Sequence, residues 1–168
     1  MTDNYVELLV KRKTSPMLKA LRFACMVMGV LQLVLAALSA APFFIVTGIL
    51  FLAVAYVVGY FGNIEYEYLY VDRQLTIDKI HNQRKRKKVA EYQLDKDMEV
   101  LAPYGSAHLD YFNDKVARTR NYTSGKTDAD QYVMVVHVEE ELEMIRLDMN
   151  EEMLKQISMV SPRKVFKD

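Results

Sequence analysis

The most concentrated charge in the sequence is a run of five consecutive cations, Arg84, Lys85, Arg86, Lys87 and Lys88. Such a run can bind phosphate groups, either on nucleic acid or on an anionic membrane surface, where each cation contributes about 1 kcal/mol. Residues 63–168 carry 17 basic and 20 acidic side chains, and they contain no recognised nucleic-acid-binding motif. We therefore expect no nucleic-acid binding and interpret the run as a membrane-surface contact. A solvated strand end that also directs membrane topology is the alternative.

Residues suited to catalysis or metal binding are scattered along the chain. The three histidines fall in different predicted elements, and Cys25 lies in an apolar segment, so no metal-ligand spacing appears. Residues 124–127 end like a phosphate-binding loop, but Arg120 occupies the position where that loop needs its first glycine. We expect no catalytic site, cofactor or metal, and an enzyme is the least favoured class of function.

The longest apolar stretch is residues 23–64, 42 residues without Asp, Glu, Lys or Arg. Pro42 divides it into two runs of 19 residues, 23–41 and 43–61. A helix of that length is about 28 Å long, close to the roughly 30 Å hydrocarbon core of a bilayer. Because backbone groups in lipid must pair within their own segment, the sequence predicts a hairpin of two transmembrane helices within residues 19–62.

The orientation of the hairpin follows from the cations before it. These are Lys11, Arg12, Lys13, Lys19 and Arg22. Under the positive-inside rule they hold the N-terminus in the cytoplasm, and two spans return the chain to that side. We expect a two-pass protein of the cell membrane with both termini cytoplasmic, and we expect Lys11, Arg12 and Lys13 to contact the membrane surface. A cleaved signal peptide is disfavoured because a second full span follows at once.

The polar residue Gln32 stands out because no ionisable group lies in the predicted spans. Transporters and proton relays normally need such a group. Gln32 is more consistent with a hydrogen bond to a neighbouring helix or another subunit. Association with a second copy of the chain is left open.

The predicted N-terminal arm, residues 1–18, has two interpretations. Residues 2–10 form either a short amphipathic helix on the membrane surface, with Tyr5, Leu8 and Leu9 on one face, or a frayed terminus.

Residues 63–168 predict one mainly β domain. Alternating and β-branched runs indicate about seven strands at residues 64–71, 75–80, 87–94, 98–101, 116–123, 132–138 and 142–147. Met153, Leu154, Ile157 and Val160 then recur at helical spacing. Asp148 begins a pattern like a capping box, and the helix ends before Pro162. The pattern predicts a small antiparallel barrel or sandwich with one amphipathic C-terminal helix over an open end.

This order of strands and helix resembles a pleckstrin-homology-like (PH-like) domain. Residues 70–77, 83–92 and 98–100 are similar to bacterial members, which are often attached to a pair of membrane helices. The second half is similar to a family of small membrane proteins of unknown function from Gram-positive anaerobes, at residues 122–124, 132–138 and 162–165. The resemblance implies a PH-like fold and a membrane location. It supplies no catalytic residues, and the phosphoinositide-binding motif of eukaryotic relatives is not matched.

Together these features predict a non-enzymatic, membrane-anchored PH-like module for binding or scaffolding at the cytoplasmic face. Its partners would be the lipid bilayer and a protein that the sequence does not identify. The alternative is an accessory subunit of a larger membrane complex, which packs through its transmembrane helices and Gln32.

Overall fold

The computed structural model describes residues 5–39, 41–126 and 130–167. The chain divides into two compact units. One is the helical segment Lys13–Ile64, and the other combines the first strand with the chain from Glu65 onward.

The helical unit consists of α1 (Pro16–Ser39) and α2 (Pro42–Gly62). Both are long and apolar enough to cross a membrane, with mean hydropathies of 2.1 and 2.3. Each begins with a proline, whose fixed φ and missing N–H suit the first helical position. Helix α1 starts before the charge-free stretch because residues 17–22 are all good helix formers.

Small residues let the two helices pack closely. A Cβ on Gly29 would lie 2.8 Å from Leu52 Cγ, and one on Gly48 would lie 3.0 Å from Leu33 Cδ2. Close approach of this kind is how helices associate in lipid, where no hydrophobic driving force acts between them.

The first sheet has the order β1-β2-β3-β4. Its strands are β1 (Tyr5–Lys11), β2 (Ile64–Val71), β3 (Gln74–His81) and β4 (Lys85–Gln93). The pair Asp72–Arg73 joins β2 to β3, and Asn82 and Gln83 lie between β3 and β4. All four residues have positive φ, between 47° and 70°. Turns with two left-handed residues match the twist of an antiparallel hairpin.

Strand β1 corrects both interpretations of residues 2–10, the surface helix and the frayed terminus, and both are wrong for the described residues 5–10. The segment runs antiparallel to β2, from Tyr5 opposite Val71 to Lys11 opposite Glu65. Val6 and Val10 are buried at even spacing, whereas Leu9 is exposed, which is the two-residue period of a strand. The two helices are therefore an insertion between the first two strands of the domain, and residues 5–11 belong to its sheet.

The second sheet has the order β5-β7-β8-β6. Its strands are β5 (Met98–Pro103), β6 (Arg118–Asn121), β7 (Gln131–Val138) and β8 (Glu141–Asp148). A 3-10 helix, Ala107–Phe112, lies between β5 and β6. Strand β6 pairs with the far side of β8 and runs parallel to it. Within residues 63–168 the described chain forms the seven strands that were expected there, β2 to β8, and β1 is an eighth strand outside that range. The expectation that the strands run antiparallel is wrong for β6.

Helix α3 (Glu151–Val160) follows the second sheet, and its Met153 and Ile157 are fully buried. Its N-terminal cap is Asn150, whose side chain accepts a hydrogen bond from Met153 N at 2.9 Å. The predicted cap, Asp148, instead accepts a hydrogen bond from Ser124 N at 2.7 Å. Asp148 is still in β8, too early in the chain to cap this helix.

Candidate membrane-facing surface

One end of the first sheet is where the chain passes to and from the helices. We call it the junction end. Strand β1 finishes there at Lys11, and its partner β2 starts there, with Glu65 opposite Lys11. Because β2, β3 and β4 are joined by tight turns, the last residue of β3, His81, and the first of β4, Lys85, lie at the same end.

The pairing of β3 with β4 sorts the basic run onto two faces. Lys85 lies opposite His81 and Lys87 opposite Lys79, so these four side chains share one face of the sheet. Arg84 lies in the turn just before β4. Lys79, Arg84, Lys85 and Lys87 make no ion pair with any residue that the structure describes. We call these four cations the basic face.

Arg86 and Lys88 point to the opposite face and are neutralised there. Arg86 Nη2 lies 2.6 Å from Glu67 Oε2, and its Nε lies 3.8 Å from Asp78 Oδ2. Both carboxylates are buried. Lys88 pairs with Glu91. These two cations of the run are therefore engaged within the domain.

The carboxylates near Arg86 have shifted acidities. Burial raises the pKa of Glu67, and nearby Arg86 offsets only part of that rise. Tyr5 donates its hydroxyl proton to Glu7 Oε2 at 2.5 Å, and this hydrogen bond lowers the pKa of Glu7. The face of the sheet opposite the basic face therefore holds a compact cluster of charged and polar side chains that bind one another.

On the basic face, burial lowers the pKa of His81, and the positive charge of Lys79 lowers it further. Both effects disfavour the protonated form of the imidazole. An anion placed beside Lys79 would relieve this repulsion, so His81 reports on the charge that surrounds the basic face.

The three expected N-terminal contacts differ in their surroundings. Lys11 Nζ lies 3.6 Å from Glu65 Oε1, and Arg12 Nη1 donates to the Tyr66 hydroxyl at 3.4 Å. Lys13 is exposed and makes no ion pair with a described residue.

Gln32 lies on α1 and is half-buried. Its Oε1 atom is inaccessible to solvent and has no hydrogen-bond partner among the described residues. A buried acceptor without a donor is costly, and Gln32 therefore has an unused hydrogen-bonding group.

The segment at residues 122–124 has a structural role. The Tyr68 hydroxyl donates to Tyr122 O at 2.8 Å, and the Asn121 side chain accepts from Thr123 N at 3.0 Å. These bonds tie the chain after β6 to the core. Of the phosphate-loop-like residues that follow, Thr127 lies outside the described residues.

The described residues include no group of three or more His, Cys, Asp or Glu side chains that could hold a metal ion. Among the described residues, the most buried ion pair outside the first sheet joins Arg120 to Glu143, with contacts of 2.7 and 3.0 Å. It bridges the parallel strands β6 and β8, and we interpret it as structural.

Sequence reasoning missed Lys79 and His81 as neighbours of the basic run. It also missed that Arg86 and Lys88 are paired within the domain. Both points depend on strand register, because β3 brings a lysine opposite Lys87 and β2 supplies Glu67 to Arg86. For Lys79 and His81 the sequence did contain a signal. When the two-residue alternation of the predicted strand at residues 75–80 is continued by one residue, both side chains fall on one face.

No curated protein and no solved structure matches this chain. A family model described as Bacterial PH-like domain (DUF6106) matches residues 2–167, which include β1 and both apolar helices. The match confirms the expected resemblance to PH-like proteins of unknown function. The chain belongs to this bacterial PH-like domain family.

Proposed function

We propose that this protein is a membrane-anchored, non-enzymatic binding module that holds its PH-like domain at the cytoplasmic face of the membrane. The helices α1 and α2 form the anchor, and the basic face docks on anionic lipid. The remaining surface of the domain is then free to bind a protein partner. PH-like domains are generally binding modules without catalytic activity.

The observation that carries this proposal is the place of the helices in the chain. They are inserted between β1 and β2, so both connections to the anchor leave from the junction end. Four residues join Lys11 to Pro16, and one joins Gly62 to Ile64. A bilayer crossed by these helices therefore lies within a few residues of that end, at about 3.5 Å per residue.

Charge supports the same orientation. The basic face lies at the junction end of the sheet, and its four cations make no ion pair with a described residue. Cations near an anionic leaflet contribute about 1 kcal/mol each, so the basic face supplies roughly 4 kcal/mol. Such a contribution is screened by salt.

The test is hydrogen exchange of the full-length protein in nanodiscs of phosphatidylcholine alone or with phosphatidylglycerol. We expect slower exchange at residues 79–88 in the anionic discs, an effect that weakens as salt is raised. The double variant Lys85→Glu, Lys87→Glu should abolish the difference. The matched control Lys96→Glu, Lys155→Glu changes the net charge equally at two exposed sites and should preserve it. Equal exchange in both discs would contradict docking through the basic face.

A second candidate function is that of an accessory subunit, which the unpaired Oε1 of Gln32 favours. A donor from another membrane helix would satisfy this atom. The test is co-purification of full-length protein and its variants from membranes in mild detergent. Gln32→Leu should lose a stoichiometric membrane partner. Thr47→Val should keep it, because the Thr47 hydroxyl already donates to Phe43 O at 3.0 Å. Wild type without such a partner would exclude this candidate.

A further inference from the structure

The helical unit contains a small polar pocket at the end where α1 begins and α2 finishes. It has a volume of about 70 Å³. Its polar lining comes from Thr14, Lys19, Arg22 and Asn63, and Gly59 forms part of its wall. Sites for drug-sized ligands have volumes of about 300–1,000 Å³, so this pocket can hold only one compact chemical group.

Gly59 makes room for the guanidinium of Arg22. A Cβ on Gly59 would lie 2.8 Å from Arg22 Cζ and 2.9 Å from its Nε. Any larger residue at position 59 would therefore push the guanidinium away from α2. Beside it, Thr14 Oγ1 donates to Gly62 O at 3.0 Å, which ties the chain before α1 to the end of α2. The pocket wall is thus built from both ends of the hairpin.

The charge in this pocket has no counterpart in its own unit. Residues 13–64 contain no Asp or Glu. Neither Lys19 nor Arg22 makes an ion pair with a described residue. Two cations that line one small pocket repel each other, so the arrangement favours a bound anion. Arg22 presents the planar set of donors that fits phosphate oxygens.

The position of Arg22 along the helix indicates where that anion comes from. Arg22 is six residues after Pro16, about 9 Å along the axis, and the charge-free stretch begins at the next residue, Phe23. An arginine at this boundary lies where the hydrocarbon core meets the headgroup layer. The phosphates of lipids are the most abundant anions there.

We propose that this pocket binds the phosphate group of an anionic phospholipid. Arg22 and Lys19 contact the phosphate oxygens, and Gly59 keeps the guanidinium in place. This inference depends on the proposed membrane anchoring. It differs from docking through the basic face because it assigns one specific lipid to a pocket in the helical unit. This binding does not depend on whether the basic face contacts the membrane.

The test is native mass spectrometry of full-length protein released from nanodiscs with equal amounts of phosphatidylcholine and phosphatidylglycerol. Wild type should retain one tightly bound phosphatidylglycerol. Arg22→Gln should weaken that binding by about tenfold or more, because it removes a charge-assisted hydrogen bond. Lys155→Gln removes one positive charge from an exposed position on α3, outside the pocket, and should bind lipid like wild type.

Gly59→Val provides an independent test that leaves the net charge unchanged. Its side chain would occupy the space of the Arg22 guanidinium, so we expect the same loss of bound phosphatidylglycerol. Unchanged retention in both Arg22→Gln and Gly59→Val would overturn the inference. Alkaline extraction of the same membranes shows separately whether the protein is inserted in the membrane, as the proposed anchoring requires. A protein that stays in the membrane but binds no lipid at Arg22 contradicts only the pocket.

A second arm distinguishes lipid from free phosphate. Lipid-free protein in neutral detergent is titrated with inorganic phosphate and, separately, with short-chain phosphatidylglycerol. The inference requires saturable binding of the lipid that depends on Arg22. Binding of inorganic phosphate alone, with the same dependence on Arg22, would assign the pocket to a soluble anion and overturn the lipid source.

Discussion

Arg86 is the third of five consecutive cations, yet two buried carboxylates, one on β2 and one on β3, hold its guanidinium. Glu67 is only 5% exposed at its side chain, whereas Arg86 is 55% exposed. The cation therefore neutralises charge that the domain has already buried, and it is poorly placed to bind a membrane. Lys79 contributes in the opposite sense, because β3 brings it beside Lys87 on the basic face.

Replacing Arg86 by Met should destabilise the domain by about 1–3 kcal/mol. The change leaves Glu67 and Asp78 without their cation, and breaking a fully buried pair costs roughly 3–5 kcal/mol. The exposure of Arg86 to solvent reduces that cost. Chemical denaturation of full-length protein in neutral detergent measures it. Arg84→Met is the control, expected within about 0.5 kcal/mol of wild type, and equal stability of both variants would contradict the assignment.

Replacing Lys79 by Gln should raise the pKa of His81. Removal of the neighbouring charge relieves the repulsion, although burial, the larger cause, keeps the pKa below its ordinary value. Titration of the imidazole protons by NMR follows this change in a sample whose other histidines serve as internal references. Lys155→Gln, which alters a lysine on α3, should leave His81 unchanged. If the pKa of His81 is the same in wild type and in Lys79→Gln, the two side chains do not share a face.

At the scale of elements, the decisive one is β1. It pairs with β2 over seven residues, and its Val6 and Val10 are buried. Without β1, the edge of β2 would be left unpaired, which invites aggregation. The two apolar helices therefore occupy the position of a loop between two paired strands. Because Lys11 lies opposite Glu65, the chain must leave β1 and enter β2 at adjacent positions of the sheet.

This arrangement predicts which fragments of the domain fold. Residues 63–168 alone should aggregate or unfold readily because they lack β1. A chain in which Asn-Gly joins Lys11 directly to Glu65 should be soluble and cooperatively folded, since these residues are paired and a two-residue turn can connect them. Size-exclusion chromatography and thermal unfolding distinguish the two fragments. Equal stability would show that β1 contributes nothing to the sheet.

Local sequence patterns predicted those elements whose charge or hydrophobic pattern lies within their own residues. The charge-free residues 23–64 gave the two apolar helices, and alternation gave β2 and β3. Strand β1 was missed because its partner lies across the insertion, and Tyr5, Leu8 and Leu9 also fit one face of a helix. The parallel pairing of β6 and the contact between Arg86 and Glu67 were missed for the same reason, since both depend on register between distant segments.

At the scale of the whole molecule, the two units make complementary contributions. In the proposed function the helices are the anchor, and the eight-stranded domain supplies a charged and structured surface. Because the helices interrupt the domain after its first strand, the proposal couples membrane insertion to folding of the sheet. It requires β1 to remain on the side of the membrane to which the second helix returns the chain. The proposal therefore places both termini on the same side.

Labelling of single cysteines with a membrane-impermeant maleimide tests this account most directly. In a Cys25→Ala background, cysteine replaces Tyr5 in β1, Ser39 at the end of α1, or Lys155 in α3. In intact cells stripped of their wall, we expect labelling only at position 39. In inside-out vesicles, we expect labelling only at positions 5 and 155. Labelling of positions 5 and 155 from opposite sides, or of all three from one side, would contradict a PH-like domain anchored by a two-pass hairpin.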